Sequence, residues 1–502
     1  MKEIELKFQV PEAQRAAVRR AVGTATAVSV HLQALYFDTP DRRLAQADMA
    51  LRLRKEGPRW VQTLKGRGDG LMQRLEHEVV LPRSRGVPAL DPGLHAHTPA
   101  GALLARVLGP DAAALSVVFS TDIRRTQRLV RMAGGTQVEL ALDEGVIEAG
   151  GARLPVFELE FELLRGHPSA LPALASRWVD RHGLWLDVRS KAERGERLAR
   201  GIAIGQPVKA VAPSLSRDMA APQALRLMVG SALNQVLGNA SELIDGATPE
   251  HLHQSRVGLR RLRSVLRDFA MLEGDPAPAG FARWSEDLAS LFRRLGVGRD
   301  LDVVSESILP ALAAAGGPSL AEVFQGVGSE QAGSVLREAG SNRLWLELLA
   351  WLHQAPASGA DGQVVAVDPS RSAGPPKLAG AVRRRLRQLH RQVAAGAADF
   401  AALDLARQHR IRKRLKRLRY GLDFTGALLN DKAVRRWMSV LSPAQDALGE
   451  YNNLLVAKAL FESAADRHPQ AWFALGWIAA QRERAVAACT EALSKVAELP
   501  RL

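Results

Sequence analysis

Acidic side chains recur at every second position in two short segments, near the beginning and towards the end of the first 205 residues. Each segment holds three charged residues at i, i+2 and i+4: Glu3, Glu5 and Lys7, and Glu158, Glu160 and Glu162. Because successive side chains of a β-strand point to opposite sides, each set shares one face of its strand. Five carboxylates facing solvent would be tolerable, but five confined inside a barrel require cations. Divalent metal ions, which prefer oxygen ligands, are the obvious choice.

Basic side chains follow a similar alternation elsewhere in the same part of the sequence. They are Arg52 and Arg54 on one strand, Lys65 on the next, then Arg124 or Arg125, and Lys191. Arginine forks and lysine ammonium groups suit phosphate oxygens. A half-exposed sheet with solvated charges would give the same alternation. Its repetition in both acidic and basic segments favours a site for a metal-complexed polyphosphate.

Antiparallel strands are the elements that would hold these side chains. Period-two alternation predicts strands, four of which are 3–8, 50–54, 60–65 and 158–163. A linker is predicted at 206–217, after which apolar residues at three- and four-residue spacing predict helices. The sequence therefore predicts an α+β multidomain protein, with strands in residues 1–205 and an all-α domain in residues 218–502.

The helical part contains an internal repeat, which favours two related bundles at about 218–354 and 377–500 with a Gly/Pro/Ser-rich loop at 355–376. On a helix, offsets of 0, 3, 7 and 10 fall within a stripe roughly 80° wide. Each copy places four residues on such a stripe: His253, Arg256, Arg260 and Arg263, and His409, Arg412, Lys416 and Arg419. The histidines would add charge only below about pH 6.5. Downstream the copies differ, since Arg299, Asp300 and Asp302 correspond to Asn452, Asn453 and Leu455.

The charge balance indicates the class of partner. The 502 residues carry a formal net charge of +15, which favours polyanions such as nucleic acid, acidic lipid or polyphosphate. Aromatic residues make up 5%, so base stacking is poorly provided for and nucleic acid is not an expected partner. A basic helix face is often simply solvated, but two copies at matched spacing favour a polyanion. The single cysteine, Cys489, the charged N-terminus and the lack of a membrane-spanning apolar run predict a cytoplasmic protein.

The N-terminal motifs resemble those of the CYTH superfamily, the triphosphate tunnel metalloenzymes. The signature Glu3-x-Glu5-x-Lys7 begins a resemblance that covers about residues 1–205. The matching segments that follow in order are 36–39, 51–54, 62–66, 73–76, 139–145, 158–163 and 190–191. The resemblance implies an eight-stranded antiparallel β tunnel with flanking helices, in which a triphosphate lies among basic side chains and a divalent metal, Mg²⁺ or Mn²⁺.

The alternation and the resemblance together give each residue an expected role. The expected metal ligands are Glu3, Glu5, Glu158, Glu160 and Glu162. The expected phosphate ligands are Arg52, Arg54, Lys65, Arg74, Arg124 and Lys191. Lys7 would neutralise developing charge. Asp143 is a candidate for orienting the attacking water because its family position is acidic, although the sequence does not single out one carboxylate for that role.

The helical part resembles the CHAD domain, a helical domain named for its conserved histidines, over about residues 218–500. The resemblance is carried by the two basic stripes, by residues 299–302 and by Tyr420, and it implies binding of long-chain inorganic polyphosphate. The combination predicts an enzyme that hydrolyses inorganic triphosphate to pyrophosphate and phosphate and associates with polyphosphate granules. The alternatives are a thiamine or nucleoside triphosphatase, an adenylate cyclase, or a non-catalytic polyphosphate-binding protein that targets granules.

Overall fold

A computed structural model describes residues 2–68, 70–109, 115–246, 248–274, 278, 280–296, 301, 303–320, 323, 332–354 and 378–502. The predicted loop at 355–376 and the predicted repeat residues Arg299, Asp300 and Asp302 lie outside these ranges. The chain divides into two compact units. Unit 1 is Met1–Pro207, Leu237–Ala247 and Leu336–Gln354, and unit 2 is Val208–Val236, Thr248–Val335 and Ala355–Leu502. Two segments of the predicted helical domain therefore pack as part of unit 1.

The described part of unit 1 is built on nine antiparallel strands. They are β1 (Lys2–Gln9), β2 (Val28–Asp38), β3 (Ala50–Glu56), β4 (Arg59–Arg67), β5 (Gln73–Val80), β6 (Ser116–Arg131), β7 (Gln137–Ala149), β8 (Ala152–Arg165) and β9 (Trp185–Leu186). The strand order is β5-β4-β3-β2-β6-β7-β8-β1-β9. A further pairing of β1 with β5, with Glu3 opposite Arg74, closes the first eight strands into a barrel. The predicted eight-stranded antiparallel barrel is confirmed.

Helices follow and interrupt the strands. In chain order they are α1 (Arg15–Val22), α2 (Arg43–Gln46), α3 (Pro99–Leu108), α4 (Ala170–His182), α5 (Lys191–Ala199), α6 (Ala221–Ile244), α7 (Pro249–Asp268), α8 (Gly280–Arg294), α9 (Leu309–Ala314), α10 (Ala332–Arg337), α11 (Ala339–Leu352), α12 (Leu378–Ala394), α13 (Leu405–Thr425), α14 (Asp431–Ala464) and α15 (Ala471–Ala497). A π-helical turn, Val304–Ile308, leads into α9. The predicted helical C-terminal part is confirmed.

The barrel reverses the usual distribution of polar and apolar side chains over much of its length. Leu51 and Leu64 are fully buried on the outside of the barrel, against Leu44 of α2 and Leu104 of α3. Neighbouring residues of the same strands, Arg52 and Arg54 of β3 and Lys65 of β4, carry charge and point into the barrel. At another part of the barrel, apolar residues of β2, β6, β7 and β8 form a cluster that packs against α5. The helices therefore supply the hydrophobic cover that lets the interior be charged.

In the described part of unit 2, helix packing is joined by ion pairs of buried carboxylates, Asp268 among them. α7 packs against α8 and α13, α13 against α12 and α14, and α14 against α15. Asp268, the last residue of α7, forms ion pairs with Arg385 of α12 and Arg417 of α13. α13 begins where the Asp404 carboxylate accepts a hydrogen bond from the backbone N–H of Arg407 at 2.7 Å. None of the helices that the structure describes combines the length and the apolar character needed to cross a membrane.

Candidate active site

The inward-facing side chains of all eight barrel strands line a cavity of about 810 Å³. Because the strands alternate, the charged residues predicted to share a face meet in this cavity. The predicted residues that line it are Glu3, Glu5, Lys7, Arg52, Arg54, Lys65, Arg74, Asp143, Glu160, Glu162 and Lys191.

Two predicted residues do not line the cavity. Arg124 is exposed on the outer face of β6, and the adjacent Arg125 takes the inward position. Strand register decides between neighbouring residues, since a shift of one position moves a side chain to the other face. Glu158 is fully buried, and its carboxylate pairs with Lys191 and Arg194. Its contacts suit an anchor for these two cations.

Arg52 and Arg54 of β3 form the basic side of the cavity. Arg52 donates to the Tyr36 hydroxyl at 3.1 Å, and its Nη2 lies 3.9 Å from Glu78. Arg54 donates to Glu56 at 2.7 Å and to Glu78 at 3.1 Å. The Nε–H of Arg52 is buried and has no acceptor among the described residues. The two arginines are thus held in place by carboxylates and by the Tyr36 hydroxyl, and both line the cavity.

Lys65 connects the basic side with the first strand. Its Nζ donates to Glu3 at 2.7 Å and lies 3.3 Å from Glu76. Burial alone would lower the pKa of Lys65, but Glu3, Glu5 and Glu76 outweigh it and raise the pKa above its ordinary value. Arg74 of β5 is nearby, 3.8 Å from Glu5. Lys65 therefore keeps its charge at any physiological pH.

Asp143, Glu158 and Glu160, here called the balanced cluster, bring three carboxylates within 4.8 Å of one another. The Nζ of Lys191 lies 2.6 Å from Asp143 and 2.7 Å from Glu160 and also contacts Glu158. Arg125 donates twice to Asp143, each time at 2.7 Å, and contacts Glu160. Burial would raise the pKa of Glu160, but Lys191 and Arg125 hold it well below its ordinary value. The chain's own cations already neutralise this cluster.

Glu3, Glu5, Glu139 and Glu162, here called the unbalanced carboxylates, have less positive charge around them. Glu162 lies opposite Glu5 of β1 and opposite Glu139 of β7. Burial raises the pKa of each, and neighbouring carboxylates add to it; the pKa of Glu162 reaches about 7. The positive charge of Lys65 opposes this rise in pKa at Glu3, Glu5 and Glu162. Half-buried oxygen donors whose charge is only partly compensated fit a divalent metal ion, and they fit it better than the balanced cluster does.

Helix α5 presents the cations of the balanced cluster. It begins where the Ser190 hydroxyl accepts from the backbone N–H of Glu193 at 3.0 Å, so Lys191 is its first residue. Gly195 allows the helix to approach β6, because a Cβ there would lie 2.3 Å from the Phe119 ring. Lys7 faces Glu160 across the β1–β8 register. Burial lowers the pKa of Lys7, although Glu158 opposes that effect.

Sequence reasoning assigned no role to several residues that line the cavity, among them Tyr36, Glu76, Glu78 and Glu139. Glu76 and Glu78 continue the alternation of β5, so that pattern could have identified them. Glu139 is separated from the next inward carboxylate of β7 by Ala141, which hides the alternation. Tyr36 lies within the segment 36–39 that resembles the CYTH superfamily, but its phenol is uncharged and so does not appear in the alternation of charges. Its stacking on Phe119 (ring centroids 4.3 Å apart) is a tertiary contact, which the sequence does not reveal.

In unit 2 the two predicted basic stripes lie on α7 and α13, which pack against each other. Arg260 of α7 donates to the Tyr420 hydroxyl of α13 at 3.3 Å. Burial, followed by the charge of four arginines, lowers the pKa of Lys416 to about 6. These arginines come from both helices: Arg256, Arg260, Arg412 and Arg419. The stripes therefore meet, and Lys416 lies where their charges converge.

The remaining stripe residues differ in their surroundings. The Nε–H groups of Arg263 and Arg419 are buried and find no acceptor in the part of the chain that the structure describes. His253 is partly buried and His409 is exposed. Although the residue is exposed overall, partial desolvation of its ring, followed by the charges of Lys413, Arg412 and Lys416, lowers the pKa of His409. The expected gain of charge by His409 therefore shifts to a pH below 6.5.

Two family models match the chain, the CYTH domain over residues 1–195 and the CHAD domain over residues 227–462. The barrel with its charged cavity is the CYTH domain, and the paired basic helices α7 and α13 lie in the CHAD domain. The chain therefore contains a CYTH domain followed by a CHAD domain.

Individual relatives match parts of the chain. An inorganic triphosphatase of Haemophilus influenzae is 34% identical over 167 residues, which are 32% of this chain and 44% of that protein, so the match spans less than half of the relative. The CHAD domain of the plant Ricinus communis is 31% identical, with a TM-score of 0.48, over 59% of this chain and 98% of that one. A Hippeastrum protein described as having a dominant triphosphatase activity is 19% identical, with a TM-score of 0.28, over 40% of this chain and 96% of that one. Both TM-scores are below 0.5, so the domain assignment depends on the family models.

Proposed function

We propose that unit 1 is a metal-dependent triphosphatase that hydrolyses inorganic triphosphate to pyrophosphate and phosphate. The observation that carries the proposal is the cavity wall, where Arg52, Arg54, Lys65, Arg125 and Lys191 and the partly compensated unbalanced carboxylates line one cavity. Such a wall suits a polyanion together with its metal ion. The CYTH domain and the likeness to an inorganic triphosphatase support the same class of reaction.

An organic triphosphate is the second candidate substrate. Apolar side chains of β2 and β6, including Val30, Leu32 and Ile123, line part of the cavity and would suit a base or a thiazole ring. A thiamine or nucleoside triphosphatase and an adenylate cyclase are therefore the rival activities. Phosphate release from inorganic triphosphate, thiamine triphosphate and ATP, with cyclic AMP measured in parallel, discriminates among them.

The metal ion has a defined set of proposed ligands. The unbalanced carboxylates would hold Mg²⁺ or Mn²⁺, and Glu160 lines the cavity beside them. Glu158, also predicted as a ligand, is sealed by Lys191 and Arg194, and so its proposed role is to anchor these cations. When bound, the ion would neutralise phosphate oxygens and polarise the terminal phosphoryl group.

The side chains of the cavity would promote hydrolysis by positioning the triphosphate and by neutralising its charge. A water oxygen attacks the terminal phosphorus, the bond to the bridging oxygen breaks, and pyrophosphate leaves with that electron pair, while the protons of the water stay on the released phosphate or pass to solvent. Arg52 and Arg54 would bind paired phosphate oxygens, and Lys7 would neutralise developing charge. Asp143 is 0% exposed and is engaged by Arg125 and Lys191, so holding those cations suits it better than orienting the water.

Replacement of one unbalanced carboxylate tests the triphosphatase proposal. We expect Glu5→Gln to abolish phosphate release with Mg²⁺ or Mn²⁺ while leaving the barrel folded, because the exchange keeps the side-chain shape and removes a metal-binding charge. Glu12→Gln, at an exposed position outside the cavity, is the control. Near-normal turnover of Glu5→Gln at saturating metal would contradict the metal assignment, and no turnover by the parent chain on any triphosphate would favour the non-catalytic alternative.

We also propose that the α7–α13 surface binds long-chain inorganic polyphosphate. A chain of phosphates needs no stacking partner, and each stripe extends over roughly 15 Å, since ten residues rise about 1.5 Å each. The arginines around Lys416 repel it, so a polyanion would relieve an unfavourable arrangement. The test is a titration of the full chain with polyphosphate and with single-stranded DNA at equal phosphate concentration. Equal affinity for both would leave only a generic basic surface.

A further inference from the structure

A short stretch after β8, residues 185–199, lies between the tunnel and two later segments of unit 1. It contains β9 and α5 and is here called the bridging segment. On one side, Lys191 and Arg194 extend from it to the balanced cluster. On the other side, its partners come from Leu237–Ala247 and Leu336–Gln354, which lie within the region that matches the CHAD model. The position of Lys191 therefore depends on sequence beyond the CYTH match.

Glu242, in α6, holds the second side of the bridging segment. It is 2% exposed, and its carboxylate contacts Arg197 of α5 and lies 3.6 Å from Arg189. Its other oxygen accepts from the backbone N–H of Gly205 at 3.0 Å. A Cβ at Gly205 would lie 2.2 Å from the Arg197 guanidinium, so the packing around this ion pair is tight. All these partners lie in residues 189–205, so Glu242 joins α6 to the segment that carries Lys191.

Asn342, in α11, fixes the beginning of the same segment. Its Oδ1 accepts from the backbone N–H of Leu186 at 2.8 Å, and its Nδ2 donates to the carbonyls of Leu336 and Glu338 at 3.0 and 2.9 Å. Asn342 is 1% exposed, so water does not compete for these bonds. β9 in turn pairs with β1, because Leu186 lies opposite Phe8. Both ends of the bridging segment are thus tied to side chains from the later segments.

A chain of polar contacts connects these ties to the tunnel. Arg189 binds Asp187 through two hydrogen bonds of 2.9 Å. Asp187 accepts from Gln9 at 3.0 Å, and its backbone N–H donates to the carbonyl of Lys7 at 3.0 Å. Displacement of Arg189 would therefore act on β1 as well as on α5.

We propose that Glu242 and Asn342 are positioning residues of the tunnel site: they act through the bridging segment to hold Lys191 against the balanced cluster. The inference deepens the proposed triphosphatase function and depends on it for the measurement of kcat/KM. It assigns part of the catalytic apparatus to residues outside the matched CYTH region. Neither residue lines the cavity.

The experiment uses the full-length chain with Glu242→Gln, which keeps the shape and removes the charge. We expect hydrogen exchange across residues 186–199 to become at least about fivefold faster and kcat/KM for inorganic triphosphate to fall roughly tenfold or more. Glu242→Asp, which keeps the charge, should lie between Glu242→Gln and the parent chain in both hydrogen exchange and kcat/KM. In a Lys191→Ala background the Glu242→Gln change should add little, because both act on the same contact.

Asp180→Asn is the matched control. Asp180 of α4 pairs with Arg343 of α11 at 3.0 Å in an exposed ion pair, so its loss removes a contact of the helix that carries Asn342 without touching the bridging segment. If Glu242→Gln does not fold, Asp245→Asn replaces it as the test variant, because Asp245 is 54% exposed and lies 2.7 Å from Arg189. We expect Asp245→Asn to make hydrogen exchange across residues 186–199 faster and to lower kcat/KM, each by a smaller factor than Glu242→Gln. Parent-like exchange and parent-like kcat/KM would overturn the inference. A parent chain without triphosphatase activity would overturn the proposed function, while the exchange measurement would still test the positioning.

Discussion

The tunnel and the α7–α13 surface both concentrate arginine and lysine, but they differ in how the charge is balanced. In the tunnel, Lys65 and Lys191 lie within ion-pair distance of two and three carboxylates respectively. At Lys416 the charged neighbours are arginines, and no carboxylate among the described residues forms an ion pair with it. Opposite charges raise the pKa of Lys191 above its ordinary value, whereas burial and like charges lower that of Lys416 to about 6.

This difference in charge balance determines how ordered and how stable each region is without a ligand. A mixed-charge wall is stable by itself, so it can hold donors in fixed positions, as catalysis requires. Around Lys416 positive charge predominates, so the repulsion between these cations is relieved when an anion binds. Removing one charge should therefore have opposite consequences in the two regions.

The largest effect is expected from removing a balanced cation. Lys191→Met leaves three buried carboxylates short of positive charge, so we expect it to lower the free energy of unfolding by about 3–5 kcal/mol. Urea unfolding at neutral pH measures this. Lys55→Met, at an exposed position of β3, is the control. A loss below about 1 kcal/mol would mean that the cluster does not depend on Lys191.

Next in size is the effect of a phosphate-binding arginine. Arg54→Ala should cost about 2–4 kcal/mol of transition-state stabilisation, measured as kcat/KM for inorganic triphosphate, because one preorganised donor is lost. Arg124→Ala is the matched control, since Arg124 is exposed on the outer face of β6 and should leave kcat/KM unchanged. A fall of less than tenfold for Arg54→Ala, or an equal fall for Arg124→Ala, would remove the distinction between the two faces.

A smaller effect is expected on the pH dependence of stability. The pKa of Lys416 is lower in the folded chain than its ordinary 10.5, so the unfolded chain binds more protons between about pH 6 and 10.5. Stability should therefore rise with pH in this window, by at most about 1.4 kcal/mol per unit for one proton. Lys416→Met should flatten the rise, and Lys432→Met, at an exposed position, should not. Equal slopes of the urea midpoint against pH in the parent and Lys416→Met would contradict the repulsion.

The smallest effect concerns polyphosphate binding. A polyanion favours the charged form of Lys416, so binding takes up a proton and affinity should rise as pH falls from 8 to 6, by about threefold to tenfold per unit. Salt should weaken binding through counterion release. The affinity of Lys416→Met should vary less with pH than that of the parent chain. If both chains show the same pH dependence, Lys416 is not at the binding surface.

The sequence was sufficient where the physics is periodic. Alternation identified the inward face of β1, β3 and β8, and helical spacing placed both basic stripes, because these depend only on local geometry. It was insufficient where a single register step decides, as between Arg124 and Arg125. It also could not show that Glu242 and Asn342 pack in unit 1, since contacts between residues more than 150 positions apart, such as Leu186 and Asn342, leave no local pattern.

The closure of the barrel has a consequence for biosynthesis. Among the barrel strands β1 is made first, and its barrel partners are β5 and β8, so Glu5 meets Glu162 only after more than 150 further residues have been synthesised. Until then only residues 2–4 of β1 have a partner strand, β5, and the rest of β1 has exposed backbone donors and acceptors, the kind of edge on which chains aggregate. Its alternate charges, Glu3, Glu5 and Lys7, discourage such pairing. The residues proposed to serve the enzyme thus also protect the nascent chain while its barrel is still open.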